Sequence, residues 1–240
     1  GAEMNSRTRR NLLIAFGVTV AAALLMAGPA DAWLLHPATP VAREVRSLFY
    51  KAAGITAVFF ILAEVLLLIA VLKFRAKPGV PAASWHENMK LEILWTAIPA
   101  LAMVILAGPA FSTMKFMDTV PKSDVQIEII GHQWFWEYRY PQYGITFANE
   151  PLVVPAGRVV AANLTSIDVV HSWFVPDFGI KVDTNPGRVN HTWFNVEEPG
   201  TYEGQCAELC GVLHGNMFIT VNVVPPEEFE RWIAQKKKGA

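Results

Sequence analysis

Two long apolar runs followed by short alternating ones set the pattern of the chain. Ala52 to Leu72 is a run of 21 residues with a single charge, Glu64. Ile93 to Met114 is a second run of 22 residues, interrupted by Pro99 and Pro109. As a helix rising about 1.5 Å per residue, either run crosses the roughly 30 Å hydrocarbon core of a bilayer. Proline is tolerated inside bilayer helices, usually with a kink. From Val125 the period changes to two. Val125, Ile127 and Ile129 alternate with Gln126 and Glu128, which predicts a half-buried strand. Further β-rich runs follow over Trp134–Tyr140, Arg158–Thr165, Val189–Val196, Gly200–Gln205 and Met217–Val224. Turn signals at Pro141, Pro155-Ala156-Gly157, Asn185-Pro186-Gly187 and Pro199-Gly200 punctuate them. Short strands at this spacing predict an all-β sandwich or barrel. The stretch 226–238 has a short amphipathic helical pattern, with Phe229 and Trp232 three apart, and ends in Lys236–Lys238.

The first residues add direction. Arg7, Arg9 and Arg10 precede the apolar run Leu12–Ala27, and Ala30-Asp31-Ala32 supplies a small-x-small cleavage pattern. This reads as an export signal removed after Ala32, with an uncleaved first span as the other reading. Lys73, Arg75 and Lys77 place the 73–90 loop on the cytoplasmic side, so both long ends face outward. The expected organisation is a signal peptide over 1–32 and a transmembrane hairpin over 33–117, with spans at about 52–72 and 93–114. An exported β domain over 118–225 follows, then a short helix with a basic tail over 226–240. Composition agrees, being 52% hydrophobic and 17% charged over 240 residues. The net charge of −1 conceals a split: residues 1–117 carry 11 basic and 6 acidic residues, and residues 118–240 carry 9 and 15. An acidic exported half suits a cationic partner or is merely a solvated surface, and no nucleic-acid partner is expected. Glu64 lies mid-span, where a carboxylate must face a protein partner or a polar cavity. Glu92 lies at the cytoplasmic mouth of the second span, as an interfacial charge or a group that admits protons.

The candidate chemistry is concentrated in Gly204–Met217, GQCAELCGVLHGNM, which holds both cysteines of the chain. Cys206 and Cys210 alone would suit a disulfide. With His214 and Met217 following on a loop between predicted strands, the set becomes a soft-metal site. His171, on a second predicted loop, supplies an upstream imidazole. A single-copper electron-transfer site needs one thiolate, so the second suggests two copper ions sharing two sulfurs. Zinc also accepts two Cys and two His; the methionine and the exported location favour copper. His132 reads as a packed or hydrogen-bonded structural histidine and His191 as a surface residue. His36 and His86 carry no signal.

The chain resembles subunit II of the haem–copper oxidases, in the cytochrome c oxidase branch. The resemblance covers residues 50–232 and rests on LEILWTAIP from Leu91, GHQWFWEY from Gly131, DVVHSWFVPDFGIKVDTNPGR from Asp168, and the Gly204–Met217 stretch. It implies a cupredoxin-like Greek-key sandwich carrying a binuclear copper A centre. Cys206 and Cys210 would bridge the coppers, and His171 and His214 would each cap one. Met217 and the Glu208 carbonyl would be weak ligands, with the Glu208 side chain on a magnesium ion shared with subunit I. Trp134 would be where electrons enter from cytochrome c, and Glu92 the mouth of a proton channel. Arg188 would lie near the subunit I contact. The segment after GHQWFWEY usually carries several acids in the family but here reads RYPQYGITFANE, with Arg139 and one late acid, Glu150, so docking is expected to use Asp168, Asp177, Glu197 and Glu198 instead, or to be weaker.

The function so implied is the electron-accepting subunit of a proton-pumping oxidase. Its partners would be subunit I, which holds the haem, subunit III, cytochrome c and the lipid bilayer. The location implied is the bacterial inner membrane, with the copper domain on the periplasmic side. The other readings are the copper subunit of a nitric oxide reductase and a copper-free membrane-anchored assembly protein with its cysteines oxidised. No C-x-x-C-H occurs, so no fused c-type haem is expected.

Overall fold

The computed structural model describes residues 36–74 and 86–238 without a break, together with scattered positions between 6 and 20 and between 76 and 84. The expected cleavage site at Ala32, and Arg75 and Lys77 of the basic loop, lie outside the described residues. The chain divides into two compact units. One includes Leu48–Ala110, and the other joins the short stretch that ends at Ser47 to the residues from Phe111 onward.

The first unit is helical. Helix α1 (Pro40–Lys73) and helix α2 (Met89–Asp118) are long and apolar enough to cross a membrane. The apolar runs 52–72 and 93–114 lie inside them. Leucines, isoleucines and valines stand exposed along both, Leu67 at 61% and Val104 at 69% among them. Such a surface is at home in lipid and not in water. Pro99 and Pro109 are carried inside α2. Asn88 caps its start, its Oδ1 accepting the Leu91 N–H at 3.2 Å.

The second unit is a β-sandwich of two five-stranded sheets. Ten strands are involved: β1 Val125–His132, β2 Phe135–Tyr140, β3 Ile145–Ala148, β4 Leu152–Pro155, β5 Val160–Ser166, β6 His171–Val175, β7 Ile180–Thr184, β8 Asn190–Phe194, β9 Gly200–Cys206 and β10 Phe218–Val224. One sheet has the order β3-β2-β1-β5-β8, the other β4-β10-β9-β6-β7. The β1–β5 and β4–β10 pairs are parallel and the remainder antiparallel. The alternation read in β1 is real: Val125, Ile127 and Ile129 are buried. They meet Tyr138, Trp173, Phe178 and Phe194 between the sheets, the aligned sandwich arrangement. Helix α3 (Pro226–Lys238) closes one side, burying Phe229 and Ile233. Trp232 packs against Tyr140 and Phe147 with ring centroids 5.4 and 5.6 Å apart.

The ends of α1 and α2 that belong to this second unit are held within it. Thr39 caps α1: its Oγ1 accepts the Ala42 N–H at 3.0 Å and donates to Phe178 O at 2.7 Å, wholly buried. At the end of α2, Trp193 Nε1 donates to Met117 O at 3.1 Å, and its ring meets Phe116 edge-on.

Candidate metal centre

Strand ends of the sandwich make the site. His171 is the first residue of β6, Cys206 the last of β9, and Met217 immediately precedes β10. These three strands are neighbours in one sheet, so the ends meet at one edge of the sandwich. The Trp173–Cys206 ladder pair sets β6 against β9, and Cys206 N–H donates to Met217 O at 2.9 Å. His171 therefore stands on a strand, and not on the loop expected for it. The loop 207–216 brings Cys210 and His214 over the same edge.

The donors converge. Cys206 Sγ and Cys210 Sγ are 3.9 Å apart, and both thiols are free and buried. That distance is nearly twice the roughly 2.05 Å of a disulfide bond. It is less than the about 4.6 Å spanned by two end-to-end metal–sulfur bonds of about 2.3 Å, so one ion can touch both sulfurs. His171 Nδ1 lies 4.0 Å from Cys206 Sγ, and His214 Nδ1 lies 3.5 Å from Cys210 Sγ. Met217 Sδ is 4.0 Å from Cys210 Sγ, and the Glu208 carbonyl 3.3 Å from Cys206 Sγ. Among the described residues, His171, Cys206 and Cys210 form the one buried His/Cys/Asp/Glu group able to hold a metal ion. The set has two lobes, each sulfur with its own imidazole and its own weak donor. Thiolate, imidazole and thioether together suit copper. With no cation beside them, burial first and the neighbouring Cys206 second push the Cys210 thiol up to about 11.

Behind the donors is a second layer that sequence reading did not find. Asp168 Oδ1 accepts the His171 Nε2–H at 2.8 Å, which leaves His171 Nδ1 as the bare nitrogen facing the sulfurs. Asp168 also accepts from the Val169 N–H at 2.6 Å, the Gln133 N–H at 2.7 Å and the Ser166 hydroxyl at 3.1 Å. Partial burial raises its carboxyl, but these hydrogen bonds, that of His171 foremost, outweigh it and hold the group at about 2. On the opposite wall, the Cys210 carbonyl accepts Gln133 Nε2–H at 2.8 Å and Trp134 Nε1–H at 3.2 Å. Two glycines make room. A Cβ on Gly131 would stand 2.8 Å from His171 Cδ2. Gly211 has φ +123°, and a Cβ there would stand 3.1 Å from the Trp134 indole.

A membrane hairpin, a β-sandwich and a two-thiol, two-imidazole cluster at its edge narrow the possibilities, and comparison with known proteins decides among them. The chain matches the family model described as the transmembrane domain of cytochrome c oxidase subunit II over residues 27–113. It matches the model of that subunit's periplasmic domain over residues 145–224. A probable cytochrome c oxidase subunit 2 of Rickettsia bellii is 32% identical over 254 residues, covering 96% of this chain and 94% of that protein.

The chain belongs to the cytochrome c oxidase subunit II family.

Subunit 2 of Cereibacter sphaeroides is 32% identical over 239 residues, covering 84% of this chain and 79% of its own. The solved periplasmic domain of cytochrome oxidase subunit II of Bradyrhizobium japonicum is 38% identical, covers 50% of this chain and 99% of its own, and superposes with a TM-score of 0.49.

The remaining residues singled out for this family member fall in different places. Trp134, half-buried, lines a groove with Phe135, Trp136, Glu150, Asn216 and Phe218 beside the metal loop. Asp168 lies at the site, but its carboxylate is engaged with His171. Glu197 and Glu198 lie just before the start of β9, whose far end is Cys206. Six strand steps of about 3.3 Å separate the two ends by about 20 Å. Glu197 is ion-paired with Arg43 at 2.9 Å. Asp177 follows the far end of β6 from His171, and partial burial raises its carboxyl. Three of the four acids expected to dock a partner thus lie away from the donors, whereas Glu150, paired with Lys236 at 2.6 Å, lies in the Trp134 groove. Arg188 is exposed on an open cleft with Lys181, Asp183 and His191. His191 bonds the Asn163 side chain at 2.8 Å. His132 stacks on Phe135 and faces Glu137 at 3.0 Å. In the helical unit, Glu92 is in the first turn of α2 and half-buried.

Proposed function

We propose that this chain is the electron-accepting subunit of a cytochrome c oxidase. It takes electrons from cytochrome c at a binuclear copper A centre and passes them to the haem of subunit I, where oxygen becomes water with proton pumping. The observation that carries the reading is the two-lobed donor set: two sulfurs 3.9 Å apart, each with its own imidazole within 4.0 Å. A mononuclear structural zinc site has no use for Met217 and the Glu208 carbonyl as fifth and sixth donors. Cys206 and Cys210 would bridge the two ions, His171 and His214 would hold one each, and Met217 and Glu208 O would complete the lobes. Copper bound there supplies reversible one-electron chemistry.

The rest is the work of the chain's own residues. Asp168 fixes the His171 tautomer. His171, wholly buried, and Met217, 1% exposed, exclude water. The Trp134 indole, bonded to the Cys210 carbonyl, gives a docked donor a short covalent and hydrogen-bonded route to a bridging sulfur. Cytochrome c would settle on the groove around Trp134, with Glu150 as its nearest acid. The exposed Glu208 carboxylate is assigned to the magnesium ion at the subunit I contact, and Glu92 to the admission of protons. The assembly, with subunit III, would lie in the bacterial inner membrane with the sandwich in the periplasm.

The test is metal analysis of the purified chain. Two coppers per chain and a purple, near-infrared-absorbing spectrum are expected. Cys210→Ser abolishes that spectrum, and Met217→Leu keeps both coppers with a shifted potential. A Cys206–Cys210 disulfide, a single zinc ion, or a normal spectrum in Cys210→Ser would refute the assignment. Co-purification with a nitric-oxide-reducing catalytic subunit would refute the oxidase part of it.

A further inference from the structure

Gln133 joins the two walls of the site although it is in neither. Its backbone N–H holds Asp168, the residue behind His171, at 2.7 Å. Its side-chain Nε2–H holds the carbonyl of Cys210 at 2.8 Å, 77 positions away in sequence. The Trp134 indole donates to the same oxygen at 3.2 Å. Both lone pairs of one carbonyl, belonging to a sulfur donor, are thus engaged by consecutive residues of the β1–β2 turn. Neither donor comes from the loop that carries Cys210. Gly211, the next residue, leaves space for the amide: a Cβ there would lie 3.2 Å from Gln133 Nε2.

Two N–H dipoles aimed at the Cys210 peptide put their positive ends beside the sulfur pair. Positive potential at that position favours whichever state of the centre holds more electrons. The same bonds fasten loop 207–216 to a turn that is itself bonded to the His171 support. We propose that Gln133 is a positioning residue that holds the Cys210 loop in register with His171 and biases the centre toward its reduced form. This rests on the copper reading above.

Gln133→Met keeps the length of the side chain and removes the donor. It is compared with wild type in the full chain, in detergent, after copper has been counted in each. The reduction equilibrium constant of Gln133→Met should fall about threefold to tenfold, the equivalent of one hydrogen bond. A tenfold fall corresponds to about 59 mV for a one-electron couple. In the metal-free chain, alkylation of Cys210 by iodoacetamide, followed by mass spectrometry, should speed up by a similar factor, because the loop opens more often. A raised KM for cytochrome c at unchanged potential and unchanged alkylation would overturn the proposal and leave Gln133 a surface contact. A wild-type chain without copper would sink the function proposed above. The alkylation comparison would then decide this one, equal rates overturning it.

Discussion

Replacing Asp168 by Asn removes one charge and leaves the side-chain volume unchanged, so what it costs is the ionic part of the network behind His171. The carboxyl is held at about 2 from an ordinary 3.8. At about 1.4 kcal/mol per pH unit, that gap is about 2 kcal/mol of native-state stability. Asp168 lies at the surface, with its side chain 27% exposed, so solvent screening reduces the figure to about 1 kcal/mol. The sign follows from the depression. The contribution is complete above about pH 4, where the unfolded carboxyl is ionised, and is lost as pH falls through the native value near 2. Denaturant unfolding of the metal-free chain in detergent, followed by tryptophan fluorescence, should therefore place Asp168→Asn about 1 kcal/mol below wild type at pH 7. The gap should narrow below pH 4 and close near pH 2. A gap under about 0.5 kcal/mol at pH 7, or one as wide at pH 2.5 as at pH 7, would refute the assignment of Asp168 as an ionised support for His171.

Other outcomes follow from the same geometry. Because both thiols must shed a proton and Cys210 is held up near 11, metal uptake should release protons and tighten as pH rises from 6 to 9; a pH-independent affinity would contradict this. Gly211→Ala forces an L side chain into φ +123° against the Trp134 ring. It should cost more than about 1 kcal/mol in denaturant unfolding and shift Trp134 emission, and an unshifted spectrum would count against the contact. Thr39→Ala removes a helix cap and a buried bond to Phe178 O, an expected loss of about 1–2 kcal/mol read as a lower melting temperature. Turnover with cytochrome c should slow as salt rises and fall further in Glu150→Gln than in Glu197→Gln, whereas equal losses would relocate the docking face.

What sequence could and could not supply is visible residue by residue. The two spans, the alternation of β1 and the 206-210-214-217 spacing are local patterns, and local patterns survive folding. Leu152–Pro155 carries no strand signal, because all four residues are buried and there is no alternation to read. His171 reads as a loop residue for a related reason: its strand is short, and four of its five residues are buried. The role of Gln133 had no signal at all, since its partner lies 77 residues away. Where the acids lie is a question of strand direction. Asp177 is six residues from His171 in sequence, yet a strand intervenes, and a strand carries the chain from one end of a sandwich to the other.

One wall of the site is closed and the other open. His171 is sealed in a strand at 0% exposure, whereas the loop opposite shows Leu209 at 78% and Val212 at 91%. Whatever approaches the sulfurs therefore meets that loop and not the strand, and bare leucine and valine there are the kind of surface a neighbouring subunit covers.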